Sequence, residues 1–233
     1  MLHMKSFEIR WNEIPEESYL RDISALKGFV GMKFHKNVTL FCGENGTGKS
    51  TILRALAEAW GLNPHGGTKN YLVDEDHLSE LSGYIDLEKG NRICFRAFLR
   101  ADSYLEMMSD AEQRYEFCCG ERCVNELSHG ESFRAFLDSL RPGGLYFLDE
   151  PDGAFSARNL LVFMSKIIDL VNHDSQFVIA THSPLLLGLP DAEIYCFGEE
   201  GISLCDYEFT EAYQITKAFL NDRERMLRYL CEE

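Results

Sequence analysis

The stretch Gly43-Glu44-Asn45-Gly46-Thr47-Gly48-Lys49-Ser50 decides how this chain is read, because it satisfies G-x-x-x-x-G-K-[ST] at every fixed position. Glycines let a backbone curl until several N–H groups point at one anion without side chains in the way. A helix starting there adds the positive end of its dipole. In that arrangement Lys49 reaches the β- and γ-phosphates of a nucleoside triphosphate, the Ser50 hydroxyl ligates Mg2+, and Thr51 adds a phosphate hydrogen bond. The flanks agree with this reading. Asn37–Cys42 (NVTLFC) reads as a buried strand entering the turn, and Lys49–Trp60 as a helix whose Ile52, Leu53, Leu56 and Trp60 share one face before Gly61 stops it.

Further along, Gly144-Leu145-Tyr146-Phe147-Leu148-Asp149-Glu150-Pro151 is an apolar run that ends in two carboxylates. A strand of this kind delivers both acids to the carboxyl edge of a central sheet, where such folds bind ligands. Asp149 is the candidate partner for Mg2+, and Glu150 the candidate base that orients or deprotonates the attacking water. Thr181-His182-Ser183-Pro184 follows the strand Gln176–Ala180 and sets a histidine at the end of another central strand.

Outward from these anchors, Lys5–Arg10 and Gly28–Phe34 read as strands, and Gly83–Leu87 with Arg92–Phe98 as a hairpin turning at Glu88–Asn91. Residues from about Asp102 to Arg141 read as mainly helical, an embedded lobe broken around Cys118–Ser128. A helix over Ala157–Val171, another near Pro184, a last hairpin (Ile194–Phe197 with Ile202–Cys205) and a helical tail from Thr210 to Cys231 complete the pattern. Strand–helix alternation around buried strands predicts an α/β fold with a mainly parallel central sheet, an antiparallel β lobe and a small helical lobe, all in a single domain over residues 1–233.

Composition narrows the function classes. The 233 residues carry 38 acids against 23 bases, a formal charge of −15, which works against broad docking on nucleic acid or an anionic membrane. The cluster Lys27, Lys33, His35 and Lys36 is a candidate local basic patch, with a solvated strand edge as the plainer reading. No segment supplies the ~18 apolar residues of a membrane helix. The first residues, MLHMKSFEIRWNEIPEE, lack an apolar export stretch, so the eight cysteines read as free thiols of a cytoplasmic protein. Cys118, Cys119 and Cys123 with His129 crowd together, but a zinc site favours two spaced pairs.

Leu127-Ser128-His129-Gly130-Glu131 precedes a helical segment and brings a resemblance into view. The set resembles the ABC-type ATPases, whose signature motif L-S-G-G-Q is matched by Ser128 and Gly130 and departed from at His129 and Glu131. The resemblance implies that this surface contacts the γ-phosphate held by a second copy, so that ATP binding makes a homodimer. It also implies that His182 contacts the γ-phosphate and that Glu150–Ser156 forms the loop where transport subunits often carry an aspartate at the position of Ser156. The coupling glutamine of the family has no clear counterpart: Gln113 lies inside an apparent helix, and Asp102 or a neighbour is the expected substitute. Tyr19 and Phe29 are candidates for stacking on adenine.

From Lys49 to Ser128 is 79 residues, without sustained heptads, so a compact head is implied rather than one carrying a long coiled coil. Across nearly the whole chain, including Gly66–Asn70 and Ser128–Phe133, the sequence resembles stand-alone bacterial AAA-type ATPases related to RecF and SMC heads. The function this implies is an ATP-driven switch acting on a partner protein such as a nuclease, or on nucleic acid, in DNA maintenance or defence against mobile elements. The nucleotide-binding subunit of a membrane transporter is the alternative.

Overall fold

A computed structural model describes residues 1–64, 67–68, 79–100 and 129–231, without the side chains of 67–68, 129–132 and 135. The elements in chain order are β1 (Met4–Ile9), β2 (Gly31–Lys33), β3 (Val38–Gly43), α1 (Lys49–Ala59), β4 (Gly67–Thr68), β5 (Ile85–Lys89), β6 (Phe95–Arg100), α2 (His129–Ser139), β7 (Gly144–Asp149), α3 (Ala157–Asn172), β8 (Gln176–Ala180), α4 (Pro184–Leu187), β9 (Ala192–Gly198), β10 (Gly201–Leu204), α5 (Glu211–Asn221) and α6 (Arg223–Cys231). Single-turn 3-10 segments join several of them, including Tyr19–Arg21 and Ser24–Leu26.

The central sheet runs β10-β9-β3-β8-β7-β6-β4. Its five inner strands are mutually parallel, and β10 and β4 close the two edges antiparallel. Both faces of the inner strands are covered, which is why they read as continuous apolar runs. Alternation divides them between two cores. Phe41, Leu145, Phe147, Val178 and Ala180 face α1, whereas Leu40, Tyr146, Leu148, Phe177 and Ile179 face α3.

A second sheet, β2-β1-β5, is antiparallel and shares the α1 core through Met4, Phe7, Ile9 and Met32. Helix α1 therefore lies between the sheets, with Ile52, Leu53, Ala55, Leu56 and Ala57 completely buried. Gln176 ties the layers together. Its side chain accepts from the His3 and Met4 amides at 2.9 and 2.8 Å and donates to the Met4 carbonyl at 2.9 Å. All three bonds are buried, where a missing partner costs about 1–3 kcal/mol.

The mainly parallel sheet and the antiparallel lobe match expectation, and three local expectations change. The hairpin of Gly83–Leu87 with Arg92–Phe98 does not form: β5 pairs with β1, and β6 pairs in parallel with β7. The intervening turn is fixed instead by Gly90 N–H and Asn91 N–H donating to the His3 and Leu2 carbonyls. The local turn signal loses to burial of Ala97, Phe98 and Leu99 in the larger sheet. The strand expected over Gly28–Phe34 shortens to Gly31–Lys33. The C-terminal helix breaks at Asp222 (φ −148°, ψ 73°), whose carboxylate accepts from Arg225 N–H at 3.0 Å and so caps a new helix.

The lobe expected over 102–141 lies largely outside the described residues; α2 is its described part. Lys36 pairs with Asp191 at 3.1 Å and His35 with Glu193 at 2.9 Å, so two members of the basic cluster face acids. Among the described residues no helix is long and apolar enough to cross a membrane.

Candidate functional site

Because the inner strands are parallel, the carboxyl ends of β3, β8, β7 and β6 line one edge of the sheet in that order. Gly43, Ala180, Asp149 and Arg100 end these strands. The loop 43–50, His182, the pair Asp149–Glu150 and Arg100 thus converge from positions far apart in sequence.

The loop has the backbone its glycines foretell. Gly48 stands at φ 97°, and a Cβ there would lie 2.8 Å from Ile23 Cγ2, so the turn at Ser24–Leu26 packs directly on the loop. Gly43 (φ 133°) lies against β9, where a Cβ would come 2.2 Å from the Phe197 carbonyl oxygen. No side chain caps the start of α1, which leaves its first N–H groups to serve an anion. Lys49 is buried, and its ammonium donates to the carbonyls of Gly43 (2.8 Å) and Glu44 (2.7 Å). Burial lowers its pKa, against the opposing pull of Glu150, Cys42 and Asp149. Thr47 Oγ1 donates to the Glu44 carbonyl at 2.8 Å, and Thr51 occupies the first turn of α1. Asn45 and Gly46 form the apex of the turn.

Ser50 Oγ donates to Asp149 Oδ1 at 2.7 Å. A hydroxyl and a carboxylate brought together here are the hard oxygen donors that Mg2+ takes, so the pair would suit such an ion, Asp149 through a water. Phosphate oxygens and water would fill its remaining positions.

Among the described residues Glu150 is one of three non-glycines with positive φ (49°, ψ 49°), held there by its N–H donating to the Ala180 carbonyl at 2.9 Å. Such a conformation costs about 1–3 kcal/mol and clusters at functional sites. Its Oε1 is 3.6 Å from His182 Nε2, too long for a hydrogen bond. That nitrogen is covered although the ring is about a third exposed, and it has no hydrogen-bond partner among the described residues.

Two participants were not foreseen as such. Arg100 Nε lies 4.0 Å from Asp149 Oδ2, opposite it in the β6–β7 register. Thr181 Oγ1 donates to Asp152 Oδ1 at 2.5 Å and accepts from Ser183 N–H at 3.0 Å. It thereby straps the turn after Glu150 to the segment carrying His182. Parallel register would have exposed the first; the second joins loops whose contact no spacing reveals.

Other sequence candidates divide. Ser156 caps α3 by accepting from Asn159 N–H at 3.3 Å. Phe29 packs on Phe7 with ring centroids 6.0 Å apart, and Tyr19 is half exposed in the Tyr19–Arg21 turn. His129, Gly130 and Glu131 open helix α2. Ser128, Asp102, Gln113 and the cysteines at 118, 119 and 123 lie outside the described residues.

Residues 19–103 match the family model described as an AAA domain. The span contains the whole 43–50 loop and ends just past β6. The match and the mainly parallel sheet with the loop at its edge agree in a P-loop type of α/β fold over that span. The chain is similar to the SMC head domain from Thermotoga maritima at 15% identity, covering 88% of this chain and 99% of that one with a TM-score of 0.45. It is similar to a chain from an inward-facing metal-chelate type ABC transporter at 17% identity, covering 79% of each with a TM-score of 0.45. A comparison with curated proteins gives no match.

Proposed function

We propose that this protein binds Mg-ATP at the 43–51 loop and hydrolyses it to ADP and phosphate. One observation carries the reading: Ser50 with Asp149, and Glu150 with His182, stand side by side on the edge where the loop opens. The loop amides and Lys49 hold the phosphates, while Ser50 and Asp149 hold Mg2+. Glu150 orients and deprotonates the attacking water, and His182 Nε2 supplies a donor for the γ-phosphate.

The proposed working unit is a homodimer with nucleotide between protomers, the signature surface of one copy (Ser128, His129, Gly130, Glu131) completing the site of the other. The γ-phosphate then bridges the two copies, and its loss releases them, an equilibrium set by ligand binding. Such a cycle makes a cytoplasmic switch for a partner protein, a nuclease or other effector, or for nucleic acid, in DNA maintenance or defence. The charge of −15 favours a protein partner.

Glu150→Gln keeps the shape of the side chain and removes its basicity. Turnover is expected to fall by about 10²–10⁴, with Mg-ATP affinity retained and a dimer visible by light scattering only when ATP is present. A variant that binds ATP at saturation yet stays monomeric defeats the sandwich arrangement.

A further inference from the structure

Cys42 and Cys196 are in-register neighbours on β3 and β9, and their sulfurs are 3.0 Å apart. Neighbouring strands run about 4.8 Å apart, within the roughly 4.4–6.8 Å that a disulfide spans between Cα atoms. Both are free thiols in the described structure, Cys42 buried and Cys196 half-buried, and Cys205 interacts with Cys196. We propose that Cys42 and Cys196 form a peroxide-sensitive dithiol whose disulfide deforms the phosphate-binding loop.

Cys42 is the residue before Gly43, and Cys196 the residue before Phe197. Gly43 already touches the Phe197 carbonyl so closely that no Cβ fits between them. A bond formed one residue before that contact on each strand ties Gly43 to β9, and Gly43 opens the loop whose Gly43 and Glu44 carbonyls hold Lys49.

The contact between the two thiols lowers the pKa of Cys42 and raises that of Cys196, which favours Cys42 as the attacking sulfur. Its thiolate displaces hydroxide from a hydroperoxide: an S–O bond forms, the O–O bond breaks, and the hydroxide takes a proton to leave as water. The Cys196 sulfur then attacks the sulfenic sulfur of Cys42; the S–S bond forms, the S–O bond breaks, and a second water carries away the thiol proton. Each sulfur gives one electron, and the peroxide takes two. Burial and contact with Cys196 push Cys205 up to about 12, leaving it a poor competitor.

The effect on ATP rests on the proposed function; the bond itself does not. The native full-length protein is treated with hydrogen peroxide, alkylated, digested and analysed by mass spectrometry. A Cys42–Cys196 linked peptide pair is expected in the parent and in Cys205→Ser, and none in Cys196→Ser. Absence of the link, or a Cys196–Cys205 link with Cys42 alkylated, overturns the proposal. In the same oxidised sample the amides of 43–50 should exchange faster and Mg-ATP affinity fall by roughly tenfold, both reversed by dithiothreitol. A link that leaves exchange unchanged overturns the coupling. Failure of the reduced protein to bind Mg-ATP counts against the ATP reading alone, since the exchange result still decides this one.

Discussion

Around β3, Lys49 is held by the Gly43 and Glu44 carbonyls, Thr47 by the same Glu44 carbonyl, and the glycines of the loop adopt conformations natural to them. Around β7 and β8, Glu150 sits in a left-handed conformation that glycine would prefer, and His182 Nε2 has no hydrogen-bond partner among the described residues. One side of the site is satisfied and the other strained. In the proposed function the satisfied side would meet a fixed shape, the phosphate chain, so its geometry can be set in advance. The strained side is suited to a water and a charge that exist only during reaction, and holding groups ready for them costs stability.

Lys49→Ala should separate the two sides most sharply. It removes the one cation of the loop while leaving Asp149, Glu150 and His182 in place. Mg-ATP affinity by calorimetry is expected to fall on the order of 100-fold, the effect of losing charged hydrogen bonds of about 1.5–3 kcal/mol. An affinity within twofold of the parent would show that the backbone alone recognises the phosphates and would erase the contrast.

His182→Ala tests the other side with a smaller expected effect. If the unpartnered nitrogen is meant for the γ-phosphate, turnover should fall by about 10- to 100-fold while ADP affinity stays level, because ADP lacks that group. Equal losses for ATP and ADP would make His182 a packing residue instead.

Legibility in the sequence follows the same division. The loop was readable residue by residue, since glycine torsions and a helix start are local facts. Asp149 and Glu150 were readable because an apolar run ending in acids implies the carboxyl edge of a central strand. The Thr181–Asp152 strap and Arg100 beside Asp149 were not, because both depend on which strands become neighbours. The misread hairpin of β5 and β6 has the same origin: a turn signal is local, while the choice between two sheets is made by burial 80 residues away along the chain, at β1 for one strand and by about 50 at β7 for the other.

The smallest effect isolates the strain itself. Glu150→Ala and Glu150→Gly both delete the carboxylate and should both abolish hydrolysis, so activity cannot distinguish them. Stability can. Alanine keeps a Cβ at φ 49° and with it the clash that costs about 1–2 kcal/mol in left-handed backbone, whereas glycine relieves it. Glycine also gives the unfolded chain more freedom, a loss of about 0.4–1 kcal/mol. The two terms leave the glycine variant ahead by up to about 1.6 kcal/mol in chemical denaturation, the reverse of the order at ordinary surface positions. If alanine proves the more stable, the turn relaxes in solution, Glu150 is not held under tension by the Ala180 carbonyl, and the difference between the two sides of the site is one of polarity alone.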